Sequence, residues 1–184
     1  MKYINPLFLS IFSLFFLLSC DNEPIDFTET TEPKPLPQAD LILGNWNLTE
    51  AILLDTTATL DINGNPVVTP ITGSGRDYDL QILFTEDDEV VATGSYVQNI
   101  TISFGLQTLD ELQEIQATEV LNSGTWSRST ALLTVDNGIE TQQMNILELD
   151  ETTLVLEFTF TQEQEIQETP AVVAGDIKFT FQRL

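Results

Sequence analysis

Apolar and polar residues alternate along many short segments of this chain, and the alternation restricts its fold more than any other feature. In residues 153–161 the even-numbered positions hold leucine and phenylalanine, and the odd-numbered positions are mostly polar. Residues 78–84 and 176–183 alternate in the same way. Since successive side chains of a strand point to opposite faces, each strand would have one buried face and one face toward water. The sequence therefore predicts an all-β protein built from antiparallel strands.

Tight turns separate these segments and indicate how the strands connect. Asn63-Gly64 and Asn137-Gly138 are dipeptides that readily adopt the positive φ angles of a short hairpin loop. About eight or nine strands follow one another in this way. We therefore expect an up-and-down antiparallel β-barrel of about eight strands, which closes on itself and leaves no free edge. A β-sandwich with immunoglobulin-like connections fits the strand count equally well.

One segment departs from the strand pattern. Thr108 is followed three residues later by Glu111, as in a helix capping box. Leu109, Leu112 and Ile115 would then form the buried side of a short helix. The same residues could instead form an irregular strand.

Residues 1–19 have the features of a lipoprotein signal peptide. Lys2 precedes an apolar run, residues 6–18, that is too short for a transmembrane helix, which needs about 20 apolar residues. The run ends at Cys20, the single cysteine of the chain, in a sequence that resembles a bacterial lipobox. We expect Cys20 to carry acyl chains, palmitate among them, that anchor the protein to a membrane.

The rest of the chain divides into a linker and one domain. Residues 20–39 are acidic and rich in proline, with few apolar residues, so they are predicted to be a disordered linker. Residues 40–184 are long enough to form one domain with one substantial core. We assign the predicted barrel to this domain.

Charge and composition exclude several classes of function. The formal net charge is -23, so nucleic acid, which is densely negative, would be repelled. The chain has no histidine, the most common general base and zinc ligand. A single cysteine excludes both a disulfide within the chain and a thiolate metal cluster. Since a phosphate-binding glycine loop and a nucleophile elbow are also missing, we expect no enzyme activity, no metal site and no cofactor.

Two acidic segments are weak candidates for cation binding. The segment that begins at Asp61 resembles the start of a calcium loop but lacks the later acidic ligand of an EF-hand, so a hairpin turn explains it better. Residues 86–89 are four consecutive acids, for which a solvated turn is the default interpretation.

Three motifs mark the first strand, the later hairpins and the last strand of the predicted barrel. Gly44-Asn45-Trp46 matches the Gly-x-Trp that opens the first strand of lipocalins, and residues 124–156 and 179–183 match later parts of such barrels. The sequence thus resembles the lipocalin-like domains of exported lipoproteins from Bacteroidetes-type bacteria, over about residues 41–184. The resemblance implies a calycin barrel that is closed at one end by Gly44, Trp46 and Arg183, with Arg183 packed over the Trp46 ring. The chain departs from secreted lipocalins in having no disulfide and a long acidic loop, residues 162–175.

A barrel of about eight strands can enclose one small ligand or be filled by its own side chains. Glu50 shares its parity with apolar residues and would point inward, unless a local bulge turns it outward. The aromatic candidates could line a pocket or equally form a packed core. The candidate pocket residues are Glu50, Tyr78, Phe84, Tyr96, Phe104, Phe158 and Phe160.

Two functions fit these observations. The first is a lipid-anchored, exported lipocalin-like binding protein for a small apolar ligand. The alternative is a structural or interaction lipoprotein with a filled barrel, which docks to a protein or glycan at the cell envelope. Both place the protein in the cell envelope as an outer-membrane lipoprotein, facing the periplasm or the cell exterior. Neither identifies a protein partner.

Overall fold

A computed structural model describes residues 41–166 and 169–184, and these residues form almost entirely β-strands. The predictions for residues 1–39, including the lipidation of Cys20, lie outside the described residues. The elements are β1 (Gly44–Ile62), β2 (Asn65–Arg76), β3 (Gln81–Phe84), β4 (Glu89–Thr93), β5 (Ser95–Phe104), β6 (Gln107–Gln116), helix α1 (Ala117–Val120), β7 (Gly124–Arg128), β8 (Leu132–Asp136), β9 (Thr141–Leu149), β10 (Thr153–Ile166) and β11 (Thr169–Arg183).

Eight of these strands pair in a closed antiparallel ring, which we call the closed barrel. Its order is β1, β3, β4, β7, β8, β9, β10 and β11, and β11 pairs again with β1. The ring follows the order of the chain, so the barrel is up-and-down. The prediction of a closed eight-stranded barrel is confirmed, and the sandwich alternative is wrong.

Three strands of the ring, β3, β4 and β7, each connect to a strand outside the ring through a short segment that is not β-strand. β2 leads into β3, β4 leads into β5 across Gly94, and β6 leads into β7 across helix α1. The continuations β2, β5 and β6 join the far ends of β1, β11 and β10 in a second sheet, with the order β6-β5-β2-β1-β11-β10. We call this second sheet the open sheet. Among the described residues β6 pairs with β5 alone, so this sheet does not close.

The segment with the capping-box pattern is a strand, and the helix prediction is wrong. Thr108 to Ile115 lie within β6, which pairs with β5 over ten residues from Phe104↔Gln107 to Ser95↔Gln116. A helix cap contributes only about 1 kcal/mol, whereas the hairpin with β5 satisfies both backbone groups of about every second residue in the segment. Leu112 consequently faces outward with 57% of its surface exposed.

The apolar side chains form two clusters, one in each part of the fold. The cluster of the closed barrel contains its largest fully buried side chains, including Trp46, Tyr96, Phe84 and Phe181. The smaller cluster of the open sheet consists of aliphatic residues with Phe104 and Phe160 packed against them. The buried members of the open-sheet cluster are Ala58, Leu60, Ile71, Ile102, Ile166, Ala171 and Val173.

Arg183 closes one end of the barrel. Its guanidinium carbon lies 4.3 Å from the centre of the Trp46 ring, as the resemblance implied. The same guanidinium donates hydrogen bonds to the carbonyl oxygens of Leu41 and Leu43, and its Nε donates to the carbonyl of Glu151 at 2.6 Å. One side chain therefore ties the start of β1 to the end of β11 and to the turn before β10.

Gly44 and the Trp46 indole complete this sealed end. Gly44 has a φ of +113°, and a Cβ at this position would lie 2.8 Å from Nη1 of Arg183. Glycine is favoured at this position for two reasons: its backbone readily adopts this φ, and it has no Cβ to approach Arg183. The Trp46 Nε1 donates to the carbonyl of Ile42 at 2.7 Å, which satisfies the only polar atom of a fully buried ring.

Candidate functional site

The interior of the closed barrel is packed with side chains. Phe84 and Tyr96 are each 1% exposed, and Trp46 and Phe181 are fully buried. The Phe84 ring meets Trp126 edge-to-face at 5.5 Å, a favourable geometry for two aromatic rings. Phe84 and Tyr96, which we predicted as pocket residues, therefore belong to the core.

The structure does not bring the seven predicted pocket residues together in one cavity. Phe84 and Tyr96 lie in the core of the closed barrel, whereas Phe104 and Phe160 pack against the cluster of the open sheet. Tyr78 and Phe158 lie at the border of the closed-barrel core and are partly buried. The aromatic residues thus point inward, but they belong to two separate clusters, one in the closed barrel and one in the open sheet.

The two candidate tyrosines keep their protons at neutral pH. Burial raises the pKa of Tyr96 well above its ordinary value, and it also raises the pKa of Tyr78, with a further contribution from the nearby Glu50 carboxylate. The Tyr78 hydroxyl oxygen accepts a hydrogen bond from the backbone N–H of Ala51 at 3.2 Å. Both side chains are therefore uncharged at neutral pH, and both pack against the core of the closed barrel.

Glu50 does not line the interior, because a bulge turns it to the outer face. The register of β1 against β11 shifts between Leu48 and Glu50, and this shift reverses the parity of the strand. Glu50 Oε2 accepts a hydrogen bond from Thr180 Oγ1 at 3.0 Å and lies 3.3 Å from Lys178 Nζ. The interior prediction for Glu50 is therefore wrong, and the alternative of a local bulge holds.

The open end of the closed barrel holds a cavity of about 370 Å³, which we call the mouth cavity. It lies where the short β8 and β9 end, while β10 continues beyond them. Phe158 supplies its aromatic side chain, and the other lining residues are polar. The complete lining consists of Thr118, Glu119, Asn122, Glu140, Thr141, Gln142, Gln143 and Phe158.

Hydrogen bonds fix the polar side of the mouth cavity. Gln142 Oε1 accepts from the backbone N–H of Asn122 at 3.0 Å, and Gln142 Nε2 donates to the carbonyl of Val120 at 2.8 Å. Asn122 Nδ2 donates to Glu140 Oε1 at 3.0 Å. These bonds join helix α1 and the segment after it to the start of β9, so the orientation of these polar groups is fixed.

Sequence reasoning identified Phe158 and missed the polar residues beside it. Gln142 and Asn122 are separated by 20 positions in the chain, and neither belongs to a recognisable motif. In the sequence, Gln142 is one polar residue in a predicted strand, and nothing nearby marks it as functional. The pairing of β8 with β9 shows that Gln142 lies on the inward face with Met144. A backbone partner across the barrel mouth cannot be inferred from local sequence.

A larger concavity, of about 610 Å³, lies at the tip of the open sheet. The residues that line it are Thr59, Leu60, Asp61, Gly64, Pro66, Glu163, Gln164, Glu165, Pro170, Ala171 and Val172. It adjoins the tip of the β10–β11 hairpin, where residues 167 and 168 are not described. Its lining has one fixed polar contact, between Asp61 and Gly64, whereas three hydrogen bonds fix the lining of the mouth cavity, so we place the candidate site at the mouth.

The acidic segments form turns. Asp61 Oδ1 accepts the backbone N–H of Gly64 at 2.7 Å, as expected for a carboxylate that stabilises a hairpin loop. Within the described ranges 41–166 and 169–184, no group of three or more acidic, cysteine or histidine side chains is arranged to hold a metal ion. The segment at Asp61 is therefore explained by its local hydrogen bond.

Comparison of the chain with protein-family models, with curated proteins and with solved structures found no match. In the described part of the chain, no helix has the length and apolar character needed to span a bilayer.

Proposed function

We propose that this protein is an exported, lipid-anchored β-barrel that binds a small molecule at the open end of its barrel. The observation that carries the proposal is the mouth cavity, with Phe158 on one side and fixed polar groups on the other. Its volume of about 370 Å³ falls in the range of small-molecule sites, about 300–1,000 Å³. Ligand sites commonly combine an apolar surface with a few oriented polar groups, and barrel mouths are a frequent location for them.

The lining of the cavity favours a ligand that is less apolar than the sequence suggested. The packed core of the closed barrel leaves the aromatic residues Phe84 and Tyr96 in contact with other side chains. At the mouth, Phe158 offers one apolar face, while Glu119 and Glu140 contribute carboxylates. A neutral or cationic molecule with one flat apolar face and hydrogen-bonding groups at its edge fits this chemistry.

The anchoring and the family assignment are parts of the same proposal. The apolar run before Cys20 supports lipidation at that residue, and two or more acyl chains would hold the protein stably on a membrane. We propose an outer-membrane lipoprotein that faces the periplasm or the cell exterior. The closed eight-stranded ring and the contact between Arg183 and Trp46 support the lipocalin-like assignment.

The alternative function, an interaction lipoprotein with a filled barrel, is favoured by a different observation. The side chains inside the closed barrel are packed against one another, and the largest of them are fully buried. In that case the barrel is a rigid scaffold, and its partner would dock to the outer surface.

Native mass spectrometry of the full chain purified from its own host separates the two functions. Beyond the mass of the acylated chain, we expect a non-covalently bound mass of a few hundred daltons that disappears in Thr118→Tyr, because a large side chain at this exposed cavity residue would fill the mouth. Ser127→Tyr, on the outer face of β7, is the matched control and should keep the bound mass. A parent protein with only the mass of its acylated chain would contradict small-molecule binding and favour the filled-barrel function.

Membrane attachment is tested separately with Cys20→Ser. We expect the parent protein to incorporate labelled palmitate and to sediment with membranes. The variant should do neither, since it lacks the thiol that the acyl chains require. Membrane retention and labelling of the variant would refute the proposed anchor.

A further inference from the structure

Strand β6 has a long free edge. It pairs with β5 from Gln107 to Gln116, and among the described residues its other side has no neighbouring strand. Half of the backbone N–H and C=O groups of a ten-residue strand point away from its single partner. Such an edge can accept a further strand through backbone hydrogen bonds.

The edge lacks most of the features that usually prevent strand addition. β6 contains no proline and no lysine, and its register with β5 has no bulge. At the β5–β6 turn, Leu106 is fully exposed, and Leu112 in the middle of β6 is 57% exposed. Natural edge strands are commonly protected by bulges, prolines, charges or short length. Of these, β6 has only its acidic charges.

The acids of β6 determine which partner the edge can accept. Asp110 and Glu114 lie on the outer face, on either side of Leu112, and Glu111 lies on the opposite face. Asp110 accepts a hydrogen bond from Thr101 Oγ1 at 2.6 Å, and Glu114 accepts from Ser95 Oγ at 2.9 Å. Among the described residues neither carboxylate forms an ion pair, so their charges are uncompensated.

We propose that β6 is a docking edge for an extended, positively charged segment of a partner protein, which adds to the open sheet as a further strand. Backbone hydrogen bonds along β6 would supply the part of the affinity that does not depend on the partner's side chains. Lys or Arg side chains of the partner would lie opposite Asp110 and Glu114, and an apolar side chain would cover Leu112. This surface is separate from the mouth cavity and adds a second binding activity to the proposed function.

Charge argues against the two other occupants that the edge could take. A second copy of β6 would bring two sets of acids together, and like charges on adjacent strands are destabilising. The preceding segment of the same chain, residues 21–40, contains several acids and Lys34 as its only cation, so it would also be repelled. A cationic strand is the occupant that the charges favour.

The test uses the full chain and a synthetic decapeptide of alternating lysine and valine as probe. We expect the peptide to bind with one-to-one stoichiometry and to slow hydrogen exchange of the β6 amides. The same decapeptide with every backbone nitrogen methylated carries the same charge but cannot donate the ladder hydrogen bonds, so it should bind far more weakly. Equal binding of the two peptides, or protection at other strands only, would overturn the proposal.

A charge variant tests the chosen partner chemistry. The double substitution Asp110→Asn and Glu114→Gln should weaken peptide binding about fivefold, since each exposed ion pair contributes only a small part of the affinity. Glu86→Gln with Asp87→Asn, in the turn between β3 and β4, removes the same charge elsewhere and should change the affinity by less than about twofold. Equal weakening by both double variants would overturn the role of the β6 acids.

The free chain must also show an uncovered edge. We expect the β6 amides that point away from β5 to exchange rapidly at every protein concentration. Protection that increases with concentration would identify a second copy as the occupant, and protection at all concentrations would identify the chain itself. Either result would overturn a cationic partner as the occupant.

Discussion

The closed barrel and the open sheet share three strands, yet they differ in how their hydrogen bonding and their cores are completed. In the closed barrel every strand has two neighbours, and the largest side chains of the molecule are fully buried inside it. In the open sheet, β6 has one neighbour among the described residues, and aromatic residues such as Phe104 and Phe160 remain partly exposed. The comparison indicates that the closed barrel is the more completely paired and buried part of the fold, and that the open sheet keeps an unpaired strand edge among the described residues.

The short hairpin between β8 and β9 determines where the mouth cavity lies in the closed barrel. β8 has 5 residues and β9 has 9, whereas their neighbour β10 has 14. Asp136 Oδ1 accepts the N–H of Gly138 at 2.7 Å, and Asn137 Oδ1 accepts the N–H of Ile139 at 2.8 Å, so the chain turns back immediately after β8. The strands are therefore short on this side of the barrel, where the mouth cavity lies.

The largest expected effect is the contrast between a core aromatic residue in each half. Trp46→Ala should lower the free energy of unfolding by about 3–5 kcal/mol, because it removes a fully buried side chain and leaves a cavity. Phe160→Ala should cost only about 1–2 kcal/mol, since its side chain is partly exposed in the open sheet. Urea unfolding of both variants measures the difference. Equal losses would show that the two halves contribute equally to stability.

A smaller contrast is expected between two glycines with positive φ. Gly94, at the joint between β4 and β5, has a φ of +83°, and a Cβ there would overlap the carbonyl oxygen of Asp79. Gly94→Ala should therefore cost about 2–4 kcal/mol, from the backbone conformation and the steric overlap together. Gly105→Ala, with a φ of +59° and open space around it, should cost about 1 kcal/mol. Melting temperatures of the two variants would test whether the joint is as tightly packed as this comparison requires.

The sealed end should respond to a substitution that keeps its charge. Arg183→Lys retains the positive charge but cannot donate to the carbonyl oxygens of Leu41, Leu43 and Glu151 together. We expect a loss of about 1–2 kcal/mol in unfolding free energy, together with a change in Trp46 fluorescence. An unaffected variant would mean that charge alone over the ring closes the barrel.

The smallest effect concerns the pH dependence of the turn between β9 and β10. Backbone N–H groups of Thr152 and Thr153 donate to Asp150 at 2.7 Å each, and these bonds lower the pKa of the Asp150 carboxyl. A lowered folded pKa contributes stability above the ordinary aspartate value of about 3.9, and the contribution disappears as the pH falls through the folded value. NMR titration should give a pKa below about 3.9, and Asp150→Asn should flatten the loss of stability in acid. A carboxyl that titrates at its ordinary value would exclude this contribution.

The fold could be predicted from the sequence because its signals are local and repeated. Alternation in residues 153–161 gives the inward face of β10, and the dipeptide Asn137-Gly138 gives a turn, without reference to any distant residue. The pairing of Arg183 with Trp46 was accessible through a known family pattern. These signals are sufficient for an up-and-down barrel, since each strand then pairs with the next.

The site could not be predicted to the same extent, because it depends on interruptions of the regular pattern. A single bulge after Leu48 reverses the face of Glu50, and its position cannot be read from parity. Pairing with β5 overrides the capping-box pattern at Thr108. The mouth cavity depends on the different lengths of neighbouring strands and on hydrogen bonds from Gln142 to a distant segment. Each of these is a tertiary effect on a locally ambiguous sequence.

Amide hydrogen exchange of the full chain compares the two halves most directly. Amides open with free energies that reflect local packing and pairing, up to the free energy of global unfolding. We predict the slowest exchange in residues 44–54 of β1 and 176–183 of β11, which pair inside the closed barrel, and the fastest strand exchange in β6. If the β6 amides exchanged as slowly as those of residues 44–54, the open sheet would be as stable as the closed barrel, and the proposed division between scaffold and binding edge would be contradicted.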